Sequence, residues 1–435
     1  MAEIHPINGI RYNTRLVKDL AEVICPPYDI ISPQQQGELY QRSPYNFVRV
    51  EYGQETPQDS PSDNRYTRAA CFLEQWLKNG VLTVDNPPAI YVHDHYFTHK
   101  SKEWKRRGIV ARIRLEEWHR MIVRPHEGTL SGPKADRINL IRALKANTSP
   151  ILSMYEDRDK TIRQVLARAT ADRPLAHVRK LEGERHDLWA VTRPDDLNQI
   201  ISALADEPIY IADGHHRYES ALVYQREQVA LHPDAPPDAA FNFVMMTLVD
   251  FDDPGLLILP PHRLLRGLSQ SRLEELKSEL PAFFEVEKLP FRGVETWRKL
   301  DEWQSAEDKQ RLVLFGLDGD SFLLLTLRDL EAAGRFMPSF HTDIYKKLDV
   351  SLVDHIILEE MLGIKPEGDS GIAFNYDRED SVKKVQSGEF QLAFVIKPVR
   401  PETIKAISDA SDRMPRKSTY FYPKLPSGLV VNRLV

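Results

Sequence analysis

Cysteine is nearly absent: Cys25 and Cys71 are the only two in 435 residues, and no C-x-x-C spacing occurs. A disulfide framework and a zinc knuckle are thereby excluded, and a reducing cytoplasm is the expected setting. No apolar run approaches the roughly 18 residues that cross a bilayer, and the opening MAEIHPIN has no charged stretch leading into an apolar one. The sequence therefore predicts neither export nor a membrane partner. Charge of one sign is lacking too: 58 Lys and Arg stand against 64 Asp and Glu, a net −6 spread along the chain. Nucleic acid thus has no electrostatic footprint to follow and is not expected as a specific partner. G-x-x-x-x-G-K-[ST], G-x-G-x-x-G and H-E-x-x-H do not occur, which removes the P-loop, dinucleotide and zincin readings.

What is present is a globular composition, 42% apolar and 28% charged, with 30 prolines against 20 glycines. Disorder and collagen are excluded, and at about 150 residues per domain the chain holds two or three domains or one body with a lobe. The prolines punctuate without forming a tract. Polar Gly53 to Asn64 reads as a surface loop. Arg65 to Asn79 follows as an amphipathic helix stopped by Gly80. Ala89 to Phe97 and Arg107 to Leu115 read as a hairpin, and Asp136 to Asn147 as a helix. Strands at Ile151 to Tyr155 and Leu188 to Val191 bracket a helix at Thr161 to Ala169. A helix from Leu197 to Leu204 then leads to the apolar strand Pro208 to Ala212. Further on come strands at Asn242 to Val249, Arg311 to Phe315 and Gln391 to Ile396, and helices at Ser271 to Glu279 and Pro401 to Ala410.

The most informative stretch follows the Pro208 to Ala212 strand. A glycine there turns the backbone sharply, and a helix starting just beyond offers its positive end to an anion. Asp213-Gly214-His215-His216-Arg217 has that layout: Arg217 brings a planar fork for phosphate oxygens, the imidazoles bring donors, and Asp213 brings a carboxylate. The bland reading is a capped helix with solvated histidines. A second charged loop, Arg124-Pro125-His126-Glu127-Gly128-Thr129 with Lys134, Asp136 and Arg137 beyond it, could clamp a polyanion while its acids position Mg²⁺, or be a salt-bridged connection. Pro26-Pro27 stiffens a turn presenting Tyr28 and Asp29. His93 and His95 share one face of a strand, adequate for two metal ligands, but no third ligand lies nearby in sequence and they read as surface histidines. Arg416 to Thr419 reads equally as a phosphate contact or a turn.

PPYDIIS at 26 to 32, RPHEGT at 124 to 129, KADRINLI at 134 to 141, ADGHHRYESAL at 212 to 222 and MPRKSTYFYPKLPSGLVV at 414 to 431 together resemble the domain of unknown function 1015 family. The likeness spans nearly the whole chain. Within it, the strand-DGHHR-helix element is similar to the phosphate turn of the ParB and sulfiredoxin superfamily, which includes free-serine kinases using ADP or pyrophosphate. The resemblance implies an α/β fold: a ParB/sulfiredoxin-like mixed-sheet body over residues 1–250 and a smaller α/β lobe over 251–435, whose tail can return to the site. It also implies a phosphotransferase for a small hydroxylated metabolite, free L-serine first, with ADP, ATP or pyrophosphate as donor and Mg²⁺ as cofactor. Gly214, His215, His216, Arg217, Arg124, Lys134 and Arg137 would hold phosphate, and Tyr28 and His126 the substrate. Glu127 and Asp136 would hold the metal. Asp213 or Asp29 would take the hydroxyl proton, with His216 also in the catalytic set. A reactive cysteine beside the turn, needed for sulfinic acid reduction, is replaced by histidine. The alternative from another class is a nucleotide- or phosphate-sensing protein that binds without turnover.

Overall fold

The periodic segments fold much as their spacing requires. In the computed structural model, which describes residues 2–129, 131–181, 183–305, 309–365 and 370–435, the helix expected at Arg65 to Asn79 runs Arg65–Lys78. Asn64 starts it by accepting from the amides of Tyr66 and Thr67, while Thr67 Oγ1 accepts from the Asn64 amide, a reciprocal cap. Its inner stripe buries Ala69, Leu73 and Trp76. Truncating Leu73 to alanine would cost about 2–5 kcal/mol. The helix at Thr161–Ala169 and the strands Ile151–Tyr155 and Arg311–Phe315 have the expected limits. The helix expected at Asp136 starts earlier, spanning Ser131–Leu144. Its expected last residues, Ala146–Asn147, instead pair with Asn432–Arg433, because a strand partner from the far end of the chain outcompetes local helix extension.

The chain divides into two compact units: Met1–Pro125 with Thr129–Leu257 and Pro423–Val435, and His126–Gly128 with Ile258–Tyr422. The first is mixed α/β around a nine-stranded sheet. Its strand order is Val123–Arg124, Ile209–Asp213, Ile151–Tyr155, Phe243–Asp250, Lys102–Arg114, Ile90–His99, Glu184–Val191 and Ala176–Leu181, with Ile4–His5 beside Lys102–Arg114. Two pairs are parallel, Ile209–Asp213 with Val123–Arg124 and Phe243–Asp250 with Ile151–Tyr155. Both faces are covered: Tyr91, Val110 and Met245 join one apolar cluster, and Ile90, Ile109 and Val244 the other. Strands buried on both sides therefore read as continuous apolar runs.

The same alternation overturns the reading of His93 and His95. They continue the inward face begun by Tyr91 and are buried at 4% and 1% exposure. In the second unit, Phe284–Pro290, Ser321–Leu327, Arg311–Phe315, Leu392–Val395, His262–Leu265 and Ile372–Asn375 form a wholly antiparallel sheet packed through Trp297, Phe315 and Phe322. Among the described residues, no helix is long and apolar enough to cross a membrane.

Candidate functional site

The site begins where the buried strand Ile209–Asp213 stops. Gly214 follows with φ +98°, and a Cβ there would sit 2.9 Å from Arg217 Nε. Glycine is needed both for the left-handed backbone and for the close guanidinium. The helix His215–Leu231 starts at once with no side-chain cap, so its first amides are turned toward this corner. His215 is buried and His216 half-buried, so the two adjacent imidazoles are unequal in access.

Asp213 is held from two sides. Arg217 Nη2 donates to its Oδ2 at 2.8 Å, and Lys424, from the tail segment of the same unit, donates to its Oδ1. Burial alone would raise the Asp213 pKa, but the Lys424 and Arg217 cations outweigh it and pull the carboxyl well below its usual range. Lys424 answers in kind: burial would lower its pKa, yet Asp213 and Asp29 together raise it. Arg217 also donates to the Pro150 carbonyl and feels Asp213, Asp29, Tyr28 and Glu51.

Arg137 forms the next layer. Its guanidinium lies 3.8 Å from the Tyr28 ring centroid, its Nε donates to Asp136 at 2.7 Å, and its Nη1 reaches the Glu51 carbonyl and Oε1 at 3.2 and 3.3 Å. Burial pushes the Tyr28 hydroxyl up to about 12. Glu51 is fully buried. Its Oε1 also accepts from Ser149 Oγ at 3.2 Å, whereas its Oε2 has no hydrogen-bond partner. Arg65 and Tyr66 bond Asp136 at 2.6 and 2.9 Å and border a groove of 630 Å³ with Glu55, Asn139 and Arg142.

Tyr28, Asp29, Asp136, Arg137, Asp213, Gly214 and Arg217 are thus neighbours within the first unit. Lys134 is spent on Glu219 at 2.7 Å, and Arg124 donates to Tyr210 and to the Met121 carbonyl. His126 and Glu127 belong to the second unit, where His126 meets Thr419 at 2.9 Å. The two acids expected to hold Mg²⁺ do not fit that role. Asp136 is bonded by Arg65, Tyr66 and Arg137, and Glu127 Oε1 accepts from the Ser418 and Thr419 amides and the Thr419 hydroxyl. Both Asp136 oxygens and Glu127 Oε1 are spoken for by donors a hard cation would have to displace, and the two acids belong to different units.

Sequence reasoning missed Glu51 and Lys424. Glu51 closes the short helix Val48–Glu51 beside the buried Phe47, Val48 and Val50, a setting that reads as core and not as a site. Lys424 lies inside the quoted tail motif but has no local pattern of its own. Four cations, Arg65, Arg137, Arg217 and Lys424, face four carboxylates, Asp29, Glu51, Asp136 and Asp213. The corner is charge-balanced.

The family described as "protein of unknown function (DUF1015)" matches residues 4–351. The chain belongs to that family. No curated protein matches the sequence of this DUF1015 protein. Solved structures similar to it include a free serine kinase variant in complex with AMP, at 13% identity and TM-score 0.35, covering 74% of this chain and 92% of that one. A conserved hypothetical protein from Pyrococcus furiosus matches at 14% identity and TM-score 0.35, over 75% and 95% of the two chains. SbnI with a C-terminal truncation from Staphylococcus aureus matches at 11% identity and TM-score 0.34, over 74% and 87%.

Proposed function

We propose that this DUF1015 protein transfers a phosphoryl group from a nucleotide or pyrophosphate donor to a small hydroxylated metabolite, with free L-serine as the first acceptor to try. The observation that carries the reading is the Gly214 turn into the His215–Leu231 helix, with Arg217 and Lys424 fixed beside it and the Asp29 carboxylate acting on both. Phosphoryl transfer is mostly placement and charge neutralisation, and the fixed Arg217 and Lys424 at the helix start supply the placement. Charge balance in the corner leaves no surplus for a bare polyanion. The donor, ADP, ATP or pyrophosphate, is therefore expected as its Mg²⁺ complex.

The acceptor oxygen attacks phosphorus, the bond to the bridging oxygen breaks, and the hydroxyl proton must go to a base. Asp213 suits this poorly, since two cations hold it ionised. It suits fixing Lys424 and Arg217. Glu51 is sealed from solvent, so the exposed Asp29 is the better base, worth about 10²–10⁴-fold. Incubation of the purified chain with serine, Mg²⁺ and each donor should yield phosphoserine together with AMP from ADP, ADP from ATP, or phosphate from pyrophosphate. Tight donor binding with no transfer to any hydroxylated acceptor would favour the sensor reading instead.

A further inference from the structure

Three imidazoles and a carboxylate crowd one face of the main sheet, outside the residues assigned above. His186, His95 and Arg106 are register partners across three neighbouring strands, and His93 sits two residues before His95 on the same face. All three histidines are buried, while Glu184 keeps 22% of its side chain exposed and so opens the cluster to solvent. His95 Nε2 lies 2.6 Å from Glu184 Oε2, and His186 Nε2 lies 3.9 Å from the same oxygen. The ligand atoms of His95, Glu184 and His186 all fall within 4.8 Å of one another. His186 Nε2 is buried and makes no hydrogen bond, whereas its Nδ1 meets His93 Nε2 at 3.1 Å. A buried ring nitrogen left without a partner and aimed at a carboxylate is costly unless something occupies the gap.

We infer that His95, His186 and Glu184 form a site for one divalent transition-metal ion of the zinc type, with His93 orienting His186 and a water position left open. Two nitrogens and one oxygen favour zinc over magnesium, and three protein ligands are the set seen where a position stays available to solvent. Metal-bound histidines usually bond a second group through the other ring nitrogen, which is the part His93 plays for His186.

Arg106 makes the site more than a staple. Its Nη2 donates to His95 Nδ1 at 3.1 Å and to the Pro423 carbonyl at 2.8 Å, so in the metal-free ring His95 carries its proton on Nε2 and gives it to Glu184. A metal on Nε2 moves that proton to Nδ1, and the Arg106–His95 bond must then break while the Arg106–Pro423 bond can stay. Lys424, which clamps Asp213, is the next residue in the chain. The site stands independently of the phosphotransfer reading.

The test uses untagged full-length protein stripped with chelator and titrated with Co²⁺, then Zn²⁺. Wild type should take up one Co²⁺ per chain, with the visible bands of a low-symmetry site that Zn²⁺ abolishes, and its melting temperature should rise with metal. Affinity should fall by more than about a hundredfold in His95→Asn, His186→Asn and Glu184→Gln. It should fall by about 10–100-fold in His93→Gln, the size expected for an orienting partner. Glu184→Gln keeps the buried rings and guards against misfolding of the histidine variants. No stoichiometric uptake by wild type, or an affinity that Glu184→Gln leaves unchanged, would overturn the assignment.

Discussion

Replacing Asp213 by asparagine keeps the shape of the side chain and removes the one charge that Lys424 and Arg217 share. The two cations retain only 9% and 11% exposure, so neither can turn to water without unpacking. Losing one partner of a buried ion pair typically costs about 3–5 kcal/mol. Because 20% of the Asp213 side chain remains exposed, the cost here should be nearer about 2–3 kcal/mol. For a unit of this size that is a fall of roughly 4–12 °C in melting temperature. The sign with pH is fixed by the depressed Asp213 pKa: its stabilisation is complete above the unfolded value near 3.9 and is lost as pH falls through the folded value. Urea unfolding of wild type and Asp213→Asn should therefore differ fully at neutral pH, and the gap should close in strong acid. A difference below about 0.5 kcal/mol at neutral pH, or one that widens in acid, would refute the view that Asp213 is the clamp of this corner.

Arg217→Ala should lower nucleotide or phosphate affinity by one to two orders of magnitude, about 1.5–3 kcal/mol, in isothermal titration, and unchanged binding by a folded variant would remove Arg217 from the phosphate site. Asp29→Asn should cut phosphoserine turnover at least about a hundredfold while donor affinity holds, whereas unaltered turnover would remove Asp29 from the base role. In the second unit, burial raises Asp349 to about 6 against the partial relief of Lys397. A raised acid stabilises below the unfolded value and loses that contribution as pH climbs from about 4 to 6, so Asp349→Asn should be the more stable protein at neutral pH by up to about 2–3 kcal/mol. Denaturant midpoints across that window check it, and a destabilised Asp349→Asn at neutral pH would contradict it.

Local order was legible wherever one face of an element was apolar. Leu73 and Trp76 mark the Arg65–Lys78 helix, and the Ile209–Asp213 strand ending at Gly214 was plain from its apolar run and the polar turn after it. Strand order was not legible, because Ile151–Tyr155 and Phe243–Asp250 pair across nearly a hundred residues and no local signal encodes that choice. The buried π-helical segment Val353–Met361 has no periodicity of its own to announce it. The corner itself was half legible. Tyr28, Asp29, Arg137, Asp213 and Arg217 stand in short polar motifs. Glu51 hides behind an apolar run, and Lys424 arrives from the far end of the sequence. The histidine cluster escaped for the same reason: the third nitrogen, His186, is 93 residues from His93 and meets it only through sheet register.

The central claim is that the Gly214 corner moves phosphate to a hydroxyl, and phosphorus NMR of one mixture tests it most directly. With wild-type protein, Mg²⁺, ADP and serine, a phosphomonoester resonance of phosphoserine should grow as ADP is converted to AMP in equal amount. It should be absent without serine and slowed at least about a hundredfold by Asp29→Asn. Donor resonances that shift on binding yet never convert, with ADP, ATP and pyrophosphate each tried in turn, would contradict it and leave a ligand sensor.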